Sequence, residues 1–372
     1  MRRTHLLLST AAAFLLPATA HAEYEDILSR INLPDGFEIS VFAEVPGART
    51  LLHDPTTGVV FVSSRSDMIH AVVDKDGDGV ADTVTQIGSG LNVPNGIGLK
   101  DGKLFIALND QVVSWQIPQD YDGTGQLSDL QTVAGGFNTS PHHGWRYSAF
   151  GPDGKFYVAL GAPCNICELE DNTGKIVRLA DDGSSWDVIA DGTRNSVGFD
   201  WHPTSGQLWF TDNGADRMGD DIPPDELNRV TRAGQHFGYP YEGGQGIPLT
   251  GYEDTKPPVE TTPAALDFQA HSANLGIDFY EGDMLPAEYR NDAIVAQHGS
   301  WNRSTPVGYQ LMRIRFDAQG NPTGKEVFAD GWLASDETVY GRPVDIEELP
   351  DGSLLVSDDS EGLIYRITYS GS

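Results

Sequence analysis

One module recurs along the chain, and few folds can use it. An apolar strand is followed by a tight turn of Asp, Pro and Gly, then by a second strand rich in β-branched and aromatic residues. It appears as TLLHDPTTGVVFVSS, NGIGLKDGKLFIAL, YSAFGPDGKFYVAL, VGFDWHPTSGQLWFTD and VDIEELPDGSLLVSD, with a degenerate copy in LGIDFYEGDMLPAEYRNDAIVAQHG. Period-two alternation bounded by turn residues marks these segments as strands. After several copies comes a further apolar strand with a basic residue near its end, as in GKIVRL, YQLMRIRF and GLIYRITY. Six such units of three to four strands predict an all-β fold, a six-bladed β-propeller, because each small sheet must stack radially on its neighbours to bury both faces. The early strand FEISVFAEV has no partner in its own unit. It is expected to complete the last blade beside GLIYRITY and close the ring. The length beyond six blades falls in insertions between Asp212 and Pro263. A β-sandwich or a pair of small β domains is the alternative.

The first 22 residues read as a cleavable leader. Arg2 and Arg3 precede an apolar run from Leu6 to Leu16, and Ala20-His21-Ala22 fits a small-x-small cleavage site. The run is too short to span a bilayer, so residues 23–372 are expected as a single exported propeller domain, periplasmic or secreted. The formal charge of −30 becomes −32 once two arginines leave with the leader. Such a surface repels nucleic acid and anionic lipid and suits a protein that handles small molecules. The two cysteines, Cys164 and Cys167, are expected to pair in an oxidising compartment. Their loop is too short for much entropic gain, and a redox motif would open a helix after a strand. A local clamp is therefore expected.

In a propeller the substrate site lies at one mouth of the central channel, fed by loops from several blades. Similar residues do recur at the ends of strands here. Before the inner strands stand Asn95, His142-His143, Arg194-Asn195, His271 and Arg342; after second strands come Arg65, then His298 with Arg303. Arginines gathered in the pore of an acidic protein call for an anion to offset desolvation and repulsion, and Arg reads carboxylates in bidentate fashion. A local partner, such as Asp345 for Arg342, is the competing explanation. Side chains of adjacent strand residues point to opposite faces, which argues against one metal shared by His142 and His143.

The ordered set HGWRYSAFGPDGKFYVALG, GTRNSVGFDWHPTSGQLWFTDNGADRMGDD, PPDELN, HFGYP, HSANLGIDFY, AQHGSWNRS and GRPVDIEELPDGSLLVSDD resembles the soluble quinoprotein sugar dehydrogenases, in particular the sorbosone branch of the glucose/sorbosone dehydrogenase family. The resemblance implies a propeller that binds pyrroloquinoline quinone (PQQ) and Ca²⁺. It implies oxidation of a sugar, or of a sugar-derived aldehyde or alcohol, by hydride transfer to the quinone, with an external electron acceptor. It assigns His143 as general base, Arg194 and Asn195 to the quinone, Arg342 to a cofactor carboxylate, and the main-chain oxygens of Gly214 and Ala215 to calcium. Arg65 and Asn95 join the expected cofactor set. Two positions depart from the family pattern. Val344 stands where a second arginine is usual, and HGSWNR replaces a lysine, with His298 or Arg303 as the substitute. A metal-dependent lactonase on a similar propeller and a non-catalytic interaction module are the rival readings. The segment from Asp74 to Asp82 has EF-hand-like acidic spacing, but Thr85 occupies the last ligand position. It reads either as a weak calcium loop or as a solvated hairpin turn.

Overall fold

The computed structural model describes residues 19–170 and 172–371. Six antiparallel sheets are arranged as the blades of a propeller. Their first strands, Ala48–His53, Ile97–Lys100, Ser148–Phe150, Gly198–Trp201, Asn274–Phe279 and Pro343–Glu348, pack against one another around the axis. In five blades the chain then meanders outward to the rim. In the sixth the outermost strand is Phe37–Glu44, which pairs antiparallel with the C-terminal Leu363–Tyr369, from Phe37 opposite Tyr369 to Glu44 opposite Leu363. The orphan strand therefore closes the ring, as its sequence predicts.

The alternating pattern works because each face of each blade has a neighbour. Six apolar clusters fill the six gaps between blades. Across the closing gap, Phe42, Ala43, Leu355 and Ile364 meet Leu51, Val60, Val62 and Val72, all buried. Each fully buried large side chain in such a cluster contributes roughly 1.5–3 kcal/mol. The hairpin turns follow local chemistry: at Gly151–Gly154, the Asp153 carboxylate accepts the Lys155 N–H, and Gly154 takes a φ of 71° that favours glycine.

The insertion between the fourth blade's second and last strands holds most of the irregular chain. It lends Gln235–His236 to the third blade as a parallel fifth strand and forms the short hairpin Glu242–Gly243 with Ile247–Pro248. The leader expected over residues 1–22 lies outside the described residues except for its last four, which open the helix Thr19–Leu28. Past the expected leader, Ile27 and Leu28 at the end of this helix, and Ile31 just after it, pack against the cluster between the fifth and sixth blades. Among the described residues no helix is long and apolar enough to cross a membrane.

Candidate active site

Antiparallel pairing brings the start of each first strand and the end of each second strand to the same mouth. Residues at these ends line a cavity of about 540 Å³ at the centre of the ring, including Arg49, His143, Arg194, Asn195, His298 and Arg342. That volume suits a small-molecule site. A larger groove of about 1030 Å³ runs along the outside, between the N-terminal helix and strand Phe37–Glu44. Among the described residues it is lined by no histidine, lysine or arginine, whereas the central cavity gathers several of them.

His143 is the most tightly prepared group. It lies in a turn before the inner strand of the third blade, with φ at +50°. Its Nδ1 is 2.9 Å from the Ala162 carbonyl oxygen. A carbonyl can only accept, so Nδ1 carries the proton and Nε2 keeps its lone pair. Arg146, almost fully buried, braces the turn from below by donating to the backbone carbonyls of Asn109, Asn138 and His143. Gly161 lets the two loops meet, since a Cβ there would sit 2.6 Å from the His143 Cβ. Burial, then the positive charge of Arg194, hold the imidazole well below its ordinary pKa of 6.5. A neutral imidazole with a bare Nε2 is the form a proton acceptor needs.

His142 is exposed, and its ring centroid lies 4.1 Å from that of His143. The expectation that the two side chains diverge is corrected here: the pair occupies a turn, not a strand, and the left-handed backbone at His143 brings the rings together.

The arginines also need correction, because most of their charge is met internally. Asp359, whose carboxylate is fully buried, accepts from Arg49 at 2.9 Å, Arg65 at 3.4 Å and His298 Nε2 at 2.7 Å. Burial opposes its ionisation, but the His298 hydrogen bond and the neighbouring arginines outweigh burial and hold it far below the usual carboxylate range. Burial drives the His298 imidazole the other way, down to about 4, against the pull of Asp359. The pair at neutral pH is therefore an ionised carboxylate and a neutral imidazole, with the arginines supplying the countercharge. Arg194 has its own acid, Asp216, at 2.7 Å. Arg342 does not pair with Asp345. Its Nε and Nη2 donate to the carbonyls of His298 and Gly299, and among the described residues it has no carboxylate partner. It is the cavity arginine left for an anion.

Asn195 fits the predicted site: its backbone N–H donates to Asp212, and its partly exposed side chain lines the cavity. Asp212 itself is raised to about 6 by burial. Asn95 does not line the cavity; it is buried behind Arg49 and accepts from its Nε at 2.8 Å. Arg303 is likewise outside, donating to the carbonyls of Asp220 and Ala270, so of the two substitutes for the lysine only His298 reaches the cavity.

The Gly214 turn is fixed by Asp225, which accepts the Gly214 N–H at 2.8 Å and the Ala273 N–H at 2.7 Å. Gly214 is required by space and not by backbone angle: a Cβ would lie 2.8 Å from the Pro224 carbonyl oxygen. Gly214 lines the cavity, whereas Ala215 is buried beside it against Ala162, Tyr239 and Leu249. Oxygen donors for a cation are present. Among the described residues, Asn213 Oδ1 and Asn302 Oδ1 are buried at the cavity without a hydrogen-bond partner. That donor set matches a hard cation such as Ca²⁺, and the free face of Arg342 matches a carboxylate. The residues present fit both expected groups. Far from this mouth, Asp74, Asp76 and Asp78 bring carboxylate oxygens within 4.8 Å of one another, and they cap backbone N–H groups of their own turn.

Cys164 and Cys167 are paired, as expected. The cavity residues missed by the sequence reading include Arg49, Trp145, Asn213, Asp216, Asp225 and Asn302, with Asp359 and Asn165 directly behind them.

A family model described as Glucose / Sorbosone dehydrogenase matches residues 100–366. A protein of Borreliella burgdorferi described only as uncharacterized is 33% identical over 359 residues, covering 93% of this chain and 92% of that one. The calcium structure of a Trichoderma reesei carbohydrate-active enzyme of family AA12 is 20% identical and superposes with a TM-score of 0.79, covering 91% of this chain and 97% of that one. The holo form of the pyranose dehydrogenase PQQ domain from Coprinopsis cinerea, also 20% identical, has a TM-score of 0.76 over 91% of this chain and 97% of that one.

Proposed function

The chain belongs to the glucose/sorbosone dehydrogenase family, and from that premise we propose that it is an exported PQQ- and Ca²⁺-dependent dehydrogenase of a sugar or sugar-derived aldehyde. One observation carries the reading: a neutral imidazole with a bare Nε2 shares a cavity with an arginine fork that, among the described residues, has no carboxylate of its own. When bound, PQQ supplies the two-electron acceptor and Ca²⁺ polarises it.

The protein's part is positioning and proton transfer. Nε2 of His143 takes the hydroxyl proton of the substrate, and the Nδ1–H bond to Ala162 steadies the imidazolium that forms. Arg342 orients an anionic group, itself held by the backbone of His298 and Gly299. Gly214, Ala215, Asn213 and Asn302 supply the oxygens for the cation. Val197, Leu275 and Trp145 line the cavity with apolar surface. A sugar aldehyde of the sorbosone type enters as its hydrate, which offers the hydroxyl that His143 needs. The paired cysteines suit the oxidising compartment to which the leader directs the chain.

The pH profile tests the base. A general base acts when deprotonated, so a pKa held below 6.5 extends activity toward acid. We expect kcat/KM to stay level from alkaline pH through neutrality and to fall only below the ordinary imidazole range. Arg194→Gln removes a cation that depresses His143, and its acid limb should move to higher pH. An unchanged limb in that variant would show that the titrating group is not His143.

The Gly214 turn makes a second test. Gly214→Val places side-chain atoms against Pro223 and Pro224 and displaces the turn. The Ca²⁺ concentration needed for half-activation should then rise by at least about tenfold, the effect of losing roughly one charged contact. Ala215→Ser keeps its carbonyl and should keep the Ca²⁺ requirement of the wild type. Equal Ca²⁺ dependence in all three proteins would remove calcium from this turn.

A further inference from the structure

We infer that Asn165, bracketed by the Cys164–Cys167 disulfide, is a positioning residue that sets both the Arg194 fork and the Gly214–Asp216 turn; its importance for cofactor binding rests on the functional reading above. The disulfide closes so short a loop that its entropic contribution is small, and residues 161–170 form neither strand nor helix. What it fixes is a residue that touches both neighbouring site elements. Arg194 donates from Nε to the Asn165 carbonyl at 3.0 Å and from Nη2 to Asn165 Oδ1 at 2.7 Å. The same Oδ1 accepts the Asp216 N–H at 2.8 Å, and Asn165 Nδ2 donates to the Asp216 carbonyl at 3.0 Å.

The side-chain amide thus pairs with the Asp216 peptide group as a neighbouring strand would, offering one acceptor and one donor. Few side chains can replace it. Aspartate lacks the donor and would add a like charge beside Asp216, alanine removes both bonds, and glutamine changes the reach by a methylene. Tyr239 completes the clamp from the insertion: its hydroxyl donates to the Asn165 carbonyl at 3.2 Å, accepts the Cys167 N–H at 3.1 Å and lies 3.5 Å from Cys164 Sγ. Arg194 has two further partners, the Asn213 carbonyl and the Asp216 carboxylate. Asp216 is itself held by Asn165, so a loose Asn165 frees most of the guanidinium's surroundings at once. The clamp also crosses from the third blade's mouth loop to the fourth's, joining the loop that carries the Ala162 carbonyl under His143 to the turn expected to hold the cation.

The experiment uses the full mature chain as wild type, as Asn165→Ala and as Cys164→Ser/Cys167→Ser, the first variant retaining the disulfide should the second fail to fold. Hydrogen exchange of the Asp216 amide is followed by NMR without any cofactor, and PQQ affinity is measured by titration in the presence of Ca²⁺. Both variants should exchange the Asp216 amide at least about tenfold faster and bind PQQ roughly tenfold more weakly, the scale of one charged hydrogen bond. A general structural role would act regardless of Arg194; a positioning role does not. In an Arg194→Ala background, Asn165→Ala should therefore weaken PQQ by clearly less than it does alone, since only its hold on the Asp216 turn remains to be lost. Unchanged Asp216 exchange in Asn165→Ala, or full additivity with Arg194→Ala, overturns the inference. If wild type binds no PQQ, the functional reading falls, while the Asp216 exchange rates still decide whether the clamp exists.

Discussion

Replacing His143 with alanine should leave PQQ affinity within a few-fold of wild type while turnover falls by at least 10²–10⁴-fold, the range typical of a lost acid–base group. The split follows from the geometry. His143 spends its Nδ1–H on the Ala162 carbonyl and presents only a lone pair to the cavity, so it offers little to an anionic cofactor. The two neighbouring imidazoles provide controls. His142 is exposed, and His142→Ala should keep turnover within a few-fold. His298 is neutral and tied to Asp359, so its replacement should act through Asp359, the shared partner of Arg49 and Arg65, and should appear first in cofactor affinity. Steady-state kinetics with saturating PQQ separate these cases. Normal turnover in His143→Ala beside a dead His142→Ala or His298→Ala would move the base elsewhere.

Arg342→Ala should weaken PQQ binding by roughly 10–100-fold, in line with a lost hydrogen-bonded charge of about 1.5–3 kcal/mol. Arg342 is singled out because its Nη1 has no protein partner among the described residues. Arg49 and Arg65 share Asp359, and Arg194 has Asp216. Arg342→Lys should recover only part of the loss, since an ammonium cannot reproduce the planar fork. Titration of the apoprotein with PQQ measures both variants. Wild-type affinity in Arg342→Ala would mean that no cofactor carboxylate rests there.

The fold was largely legible because the propeller repeats a local rule. Period-two alternation and Asp-Pro-Gly turns mark each hairpin, and the unpartnered FEISVFAEV foretells its pairing with Leu363–Tyr369. The site was legible where residues stand immediately before an inner strand, as His143, Arg194, Asn195 and Arg342 do. It was less so elsewhere. Arg49 lies inside the strand Ala48–His53, one residue ahead of the repeat as it reads in sequence. Asp359 is one of 54 acidic residues, and only the fold reveals that it faces two arginines and a histidine. Arg303 is close to His298 in sequence, yet its loop carries it to the Asp220 and Ala270 carbonyls. Pairings of this kind join blades and leave no periodic trace.

The most direct test is reconstitution. Purified apoprotein is incubated with Ca²⁺ alone, PQQ alone or both, and reduction of an electron-accepting dye is followed with an aldose and with a sugar aldehyde. Dye reduction only when both are added, abolished by chelation and restored by Ca²⁺, is the predicted result. Hydrolysis of a lactone with a cation and no PQQ, with no dye reduction on either substrate, would contradict the account.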